Sequence, residues 1–156
     1  TAGVPIRLLI AGRGEDSEWI ESLSKSKVFI DYRGAFDFRR NIEDLYSMTD
    51  VMFAMYPQNQ FNYRVHWARR AHQAVLSGIP LIVARGSQMG RYVESNRLGW
   101  AVGDTSQSEL EALLTDLVNN PAKLIEESTD SEAILREHRF ETFKEHVIAE
   151  YDILFD

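Results

Sequence analysis

Five short, β-rich apolar runs, separated by stretches with helical spacing, leave this chain few ways to fold. The runs are Ile6–Ala11, Val28–Tyr32, Val51–Met55, Pro80–Ala84 and Trp100–Val102. Their near-continuous apolarity marks strands covered on both faces, as in a parallel sheet flanked by helices. Between the first two runs Trp19, Ile20 and Leu23 share one helical face, and between the next two Phe38, Ile42, Leu45 and Tyr46 do the same. A further helix is expected from about Trp67 to Ser77, with Ala68, Ala71 and Val75 as its seam, Gly78 as its C-terminal cap and Pro80 beyond. Leu110, Leu113, Leu114 and Leu117 mark another, stopped near Asn119, Asn120 and Pro121, and Phe140, Phe143, Val147, Tyr151, Leu154 and Phe155 mark a long last one over about 131–155. This βαβαβ rhythm predicts an α/β fold with a parallel sheet.

At 156 residues and 44% hydrophobic, the chain has the size of one domain with a core of its own, and residues 1–156 are read as a single domain. It starts almost directly in a strand, and Thr1–Pro5 reads like the tail of a helix and a turn. The expectation is therefore that a strand and a helix precede it in a longer parent, leaving a sheet edge for another segment to cover. With no cysteine there is neither a disulfide framework nor a thiolate metal site. No apolar run approaches the roughly 20 residues of a membrane span, so a soluble, intracellular protein is expected.

Charge is unevenly spread. The net charge is -7, yet residues 56–100 carry six arginines (Arg64, Arg69, Arg70, Arg85, Arg91 and Arg97) against one acid, Glu94. Residues 1–55 are at -2, residues 56–100 at +5 and residues 101–156 at -10. A local positive field in an acidic protein suits a phosphate-bearing small ligand and argues against nucleic acid, which usually meets a basic domain.

Within that segment the densest cluster runs from Phe61 to Gln73. At i, i+3 and i+4 spacing His66, Arg69, Arg70 and Gln73 share one side of a helix that begins there. Helix amides from Trp67 to Arg70, the positive end of the dipole and two guanidinium forks would together receive a diphosphate. The plainer alternative is a solvated basic face with Trp67 in the core. Gly12, Arg13 and Gly14 follow the first strand and precede a helix; they read either as a turn that needs glycine or as a ligand contact. Glu15 and Asp16 oppose a phosphate there, and Ser17 stands where a dinucleotide fingerprint wants its third glycine. Arg33, before Gly34, sits at the carboxyl end of the second run, where open α/β sheets bind ligands. His66 and His72 have no acid or cysteine close in sequence to complete a metal site, and His72 is read as packed.

In order along the chain, Ile6 to Gly14, Val28 to Gly34, Ile42 to Val51, Gln73 to Val83 and Leu98 to Val102 resemble the C-terminal domain of family 4-type GT-B glycosyltransferases, the glycosyl transferases of group 1. The resemblance implies a Rossmann-like half of a two-domain enzyme that binds a nucleotide-sugar donor, its acceptor-binding N-terminal domain lying outside this chain along with the first strand and helix. It implies hexosyl transfer with retention to a glycan, a lipid or another acceptor, in polysaccharide or glycoconjugate assembly, without metal or cofactor. It further implies a cytoplasmic enzyme, with peripheral contact to the inner face of the membrane through the other domain. The donor-site residues are then Gly12, Arg13, Gly14, Arg33, His66, Trp67, Arg69, Arg70 and Gln73, with Arg69 and Arg70 on the diphosphate and Gln73 on a ribose or sugar hydroxyl. No catalytic residue is assigned. The family commonly has two glutamates eight positions apart, and Val65 and Gln73 stand in those places here. That departure keeps a second reading open, a non-catalytic module binding a sugar nucleotide or a protein. A third, a dinucleotide-dependent oxidoreductase, would rest on Asp31 at the end of the second strand.

Overall fold

The computed structural model describes residues 5–59, 61–65, 67–128, 132–139, 141–142, 144 and 148. The chain divides into two compact units, residues 1–49 and residues 50–156. Both are α/β with parallel strands, in accord with the apolar rhythm. The single sheet expected from sequence is instead two, one in each unit.

The first unit runs β1 (Leu8–Ala11), α1 (Ser17–Ser26), β2 (Ile30–Gly34) and α2 (Phe38–Ser47). β1 and β2 pair in parallel, Leu8 beside Ile30 and Ile10 beside Tyr32, with a register shift before Ala11. β2 starts two residues later than its apolar run because Ile30 N–H bonds the Lys27 carbonyl at 2.9 Å, which leaves Val28 fully exposed in the turn. α2 is capped by Asp37, whose carboxylate accepts from the Arg39 and Arg40 amides at 2.9 and 3.3 Å. Among the described residues of this unit only Ile30 is buried, so continuous apolarity in β1 does not translate into burial on both faces.

The second unit contains β3 (Met52–Ala54), α3 (Phe61–Val65), α4 (Arg69–Leu76), β4 (Leu81–Ala84), α5 (Gln88–Ser95), β5 (Gly99–Val102), α6 (Gln107–Asn119), α7 (Ala122–Glu126) and α8 (Glu132–His138). Its sheet is parallel in the order β3-β4-β5, with Leu81 between Met52 and Gly99 and Val83 between Ala54 and Ala101. All four residues of β4 are buried, with Ala71, Ala74 and Val75 of α4 and Met89 and Val93 of α5 buried beside them. Burying one of the larger of these side chains, a Leu, Ile, Val or Met, is worth roughly 1.5–3 kcal/mol. Gly99, at φ +135°, admits no side chain, since a Cβ there would overlap the Leu81 carbonyl oxygen.

α4 begins at Arg69, two residues later than expected, because Ala68 is extended with ψ 135°. The long terminal helix is seen as α8, followed by a bend at Arg139, and most of the remaining range expected for it lies outside the described residues. α3, α5 and α7 have no counterpart in the apolar pattern.

Candidate functional site

Three loops leave the carboxyl ends of β3, β4 and β5, and in parallel sheets this is the end that binds ligands. α4 brings its N-terminus to the same end. Its last residue is joined to β4 by the short turn from Ser77 to Pro80, and its eight residues, about 12 Å of helix, run back along the strand.

The loop after β3 is built on Gln58. Its backbone N–H donates to Asp104 Oδ2 in the loop after β5 at 2.7 Å, and its side-chain amide donates to the Tyr56 carbonyl at 2.7 Å. Arg64 Nε donates to the Gln58 carbonyl at 2.9 Å. Tyr56 stacks on Tyr63 with centroids 5.7 Å apart, and the Arg70 guanidinium lies 5.5 Å from the Tyr56 ring centre, within cation–π range. The Gln58 Oε1 atom is buried without a hydrogen-bond partner among the described residues.

The six arginines separate by surroundings. Arg85 donates to the Ala101 carbonyl at 3.1 Å and pairs with Glu109 at 2.9 Å, while Glu109 also accepts the Gly103 amide at 3.1 Å. The Gly103 amide first, and Arg85 second among the favourable contacts, hold the Glu109 carboxyl below the usual range. Arg91 donates to the Gly86 carbonyl at 3.1 Å, and Arg97 occupies a turn at φ 53° before β5. Arg69 and Arg70 occupy the first turn of α4 with exposed side chains. That turn contains no acid and its N-cap, Ala68, makes no side-chain hydrogen bond. α5 differs: the buried Ser87 hydroxyl accepts the Gly90 amide at 2.8 Å and donates to the Ala84 carbonyl at 2.7 Å.

Of the other residues singled out by sequence, Gln73 is half-buried one turn beyond Arg69, and His66 lies outside the described residues. Trp67 precedes the helix, so its amide is not one of the first-turn amides. Its ring packs against His72, Tyr92 and His138 at centroid distances of 5.2, 4.9 and 5.5 Å. The residues are drawn apart by Ala68: its extended backbone separates the aromatic side chain from the two arginines that follow.

In the first unit Arg13 and Gly14 line a cleft of about 400 Å³ with Ser17, Glu18, Glu21 and Tyr32. Gly12, at φ 141°, donates its N–H to the Gly34 carbonyl at 2.7 Å, and the Tyr32 hydroxyl donates to the Gly12 carbonyl at 3.1 Å. The carboxylates make this cleft unfavourable for phosphate. Arg33 is held by Asp31 through two contacts, at 2.7 and 2.8 Å, which also occupies the carboxylate that an oxidoreductase would need for ribose. Among the described residues no group of three or more histidines, cysteines, aspartates and glutamates is placed to hold a metal. None of the described helices is long and apolar enough to cross a membrane.

Sequence reasoning missed Gln58, Asp104 and the Arg85–Glu109 pair. The aromatic, acid-free loop around Tyr56 and Tyr63 was visible, but Asp104 lies 46 residues from Gln58 and carries no local signal.

No family model and no curated protein matches the sequence. Among solved structures, the chain resembles HepE of Anabaena, determined in complex with UDP and glucose, with a TM-score of 0.71 at 15% identity. The match covers 96% of this chain and 41% of HepE. At that identity the likeness establishes the fold, a Rossmann-like α/β half with parallel strands flanked by helices.

Proposed function

We propose that the second unit binds the diphosphate of a nucleotide sugar at the first turn of α4, and that the chain is the donor-binding half of a GT-B glycosyltransferase. The observation that carries this reading is the composition of that turn: an N-cap without a side-chain bond, no acid, and Arg69 and Arg70 side by side at the carboxyl end of the sheet. Anions are favoured at such a helix terminus, and guanidinium forks bind phosphate oxygens in pairs. The fold shared with a protein solved with UDP and glucose supports the same reading.

In this proposal Arg69 and Arg70 stabilise the charge that develops on the departing diphosphate, which replaces a divalent cation. Gln73 hydrogen-bonds a ribose or sugar hydroxyl, and transfer proceeds with retention to a glycan or lipid acceptor held by a separate domain. The enzyme works in the cytoplasm, and the chain without its partner domain does not turn over.

The test is a thermal-shift panel of nucleoside diphosphates and nucleotide sugars on the intact parent protein. Stabilisation by one base over the others is expected, since ligand at about 100 times Kd adds about 2.7 kcal/mol to native stability. No stabilisation by any of them at millimolar concentration sinks the reading. The second reading, a module that binds the donor without transferring it, is favoured by Val65 and Gln73 in place of the two glutamates. It predicts the same thermal shifts with no release of diphosphate from any donor.

A further inference from the structure

α4 is engaged at two places: its first turn carries Arg69 and Arg70, and one turn on, His72 meets α8. His72 Nδ1 and His138 Nδ1 are 2.8 Å apart, with ring centroids at 4.9 Å. His138 is only 9% exposed, and its other nitrogen, Nε2, lies 3.3 Å from the Tyr92 hydroxyl of α5. That hydroxyl donates to Glu137 Oε2 at 2.6 Å.

These contacts set the direction of every hydrogen bond in the row. Tyr92 has only one hydrogen and gives it to Glu137, so its oxygen accepts from His138 Nε2–H. In the neutral ring this leaves His138 Nδ1 as an acceptor, and His72 Nδ1 must carry the hydrogen between the two rings. A first added proton leaves one hydrogen between the Nδ1 atoms. A second places a hydrogen on each, and two N–H groups facing each other at 2.8 Å repel.

We propose that the His72–His138 pair is an acid-sensitive clasp, which holds α8 against α4 while one hydrogen lies between the two Nδ1 atoms and releases it when both rings are protonated. α8 is seven residues long, and His138 is its one buried residue among those described, so the clasp anchors it together with the Tyr92–Glu137 bond. Among the described residues, the ionisable groups facing the pair are Tyr92 from α5 and Glu137 from α8; Trp67 packs beside it and carries no charge.

Burial and then the His138 charge hold the His72 ring down to about 4, and burial lowers His138, with Glu137 opposing. An undocked histidine titrates near 6.5, so the undocked state takes up protons first as pH falls. Docking is therefore at full strength above about 6.5 and weakens as pH falls toward 4. His72 alone would shift the docked-to-undocked ratio roughly thirtyfold between pH 7.5 and 5, and its partial exposure trims this to roughly tenfold.

Hydrogen exchange on the whole chain tests this, with α8 amides compared to α6 amides and rates corrected for intrinsic pH dependence. α8 protection should fall about tenfold more than that of α6 between pH 7.5 and 5. Replacing both rings, His72→Phe together with His138→Phe, keeps aromatic packing against Trp67 and Tyr92 and should abolish that difference. Equal pH dependence of α8 and α6, or an acid loss retained in the double variant, overturns the proposal. Where that variant does not fold, imidazole nitrogen NMR on the unmodified chain decides: His72 titrating well below His138 supports the clasp, and both rings titrating independently near 6.5 overturns it. This clasp stands apart from the diphosphate reading, since no arm of the test uses a ligand.

Discussion

The two units are written in the same βα grammar and differ in what covers their strands. β4 lies between two parallel neighbours with α4 and α5 packed on it, and all four of its residues are buried. β1 has one neighbour in its sheet; Leu8 is 43% exposed and the other three residues are half-buried. An apolar run therefore states what a strand needs, and neighbours decide whether it is met. The units also differ in charge chemistry. Arg33 of the first is neutralised by Asp31, and the cleft there is rimmed by glutamates, whereas the α4 turn of the second holds two arginines and no acid.

The largest expected effect separates the two sheets. Leu81→Ala should cost about 2–5 kcal/mol, the range for a core leucine, while Leu8→Ala should cost less than about 1 kcal/mol. Urea denaturation measures both, and equal losses would mean that β1 is as well covered as β4. Next in size is the proposed ligand binding. Arg70→Ala should weaken a nucleoside diphosphate by about 10–100-fold, the loss of a charge-assisted contact worth roughly 1.5–3 kcal/mol. Arg33→Ala should leave that affinity within about twofold, because Asp31 already occupies the guanidinium. An unchanged affinity in Arg70→Ala would move the anion site away from α4.

Acid sensitivity sharpens the contrast further. The two described histidines, His72 and His138, both belong to the second unit. Between pH 6.5 and 5 fluorescence from Trp67, which packs on both, should therefore report loosening, and Trp19 and Trp100 should not, measured in single-tryptophan variants. The smallest difference expected is in helix caps. Ser87→Ala should cost about 1–2 kcal/mol, because the buried Gly90 amide and Ala84 carbonyl lose their partner, and Asp37→Ala about 0.5–1 kcal/mol, because water replaces an exposed cap.

All five strands were legible as apolar runs, and the two helices of the first unit as apolar faces. Strand ends were less so: Val28 and Phe29 look like strand residues, yet the turn after α1 takes them. α5 escaped because Gly90 and polar residues dilute its pattern. Its glycine is required by packing, since a Cβ there would stand 2.5 Å from the Ala84 carbonyl oxygen. At the candidate site the arginine excess was plain, but which arginines are already engaged was not. Glu109 follows Arg85 by 24 positions, and only the side-by-side exit of β4 and β5 brings them together.

By itself the sequence determined the α/β rhythm, the parallel strands and the placing of positive charge, because periodicity and charge are local properties of a chain. Tertiary structure alone decided that Arg85 faces Glu109, that Trp67 turns to His72 and His138, and that Arg69 and Arg70 open a helix without a side-chain cap. The physical reason is that burial and pairing depend on distances between residues far apart in order, which no local pattern encodes.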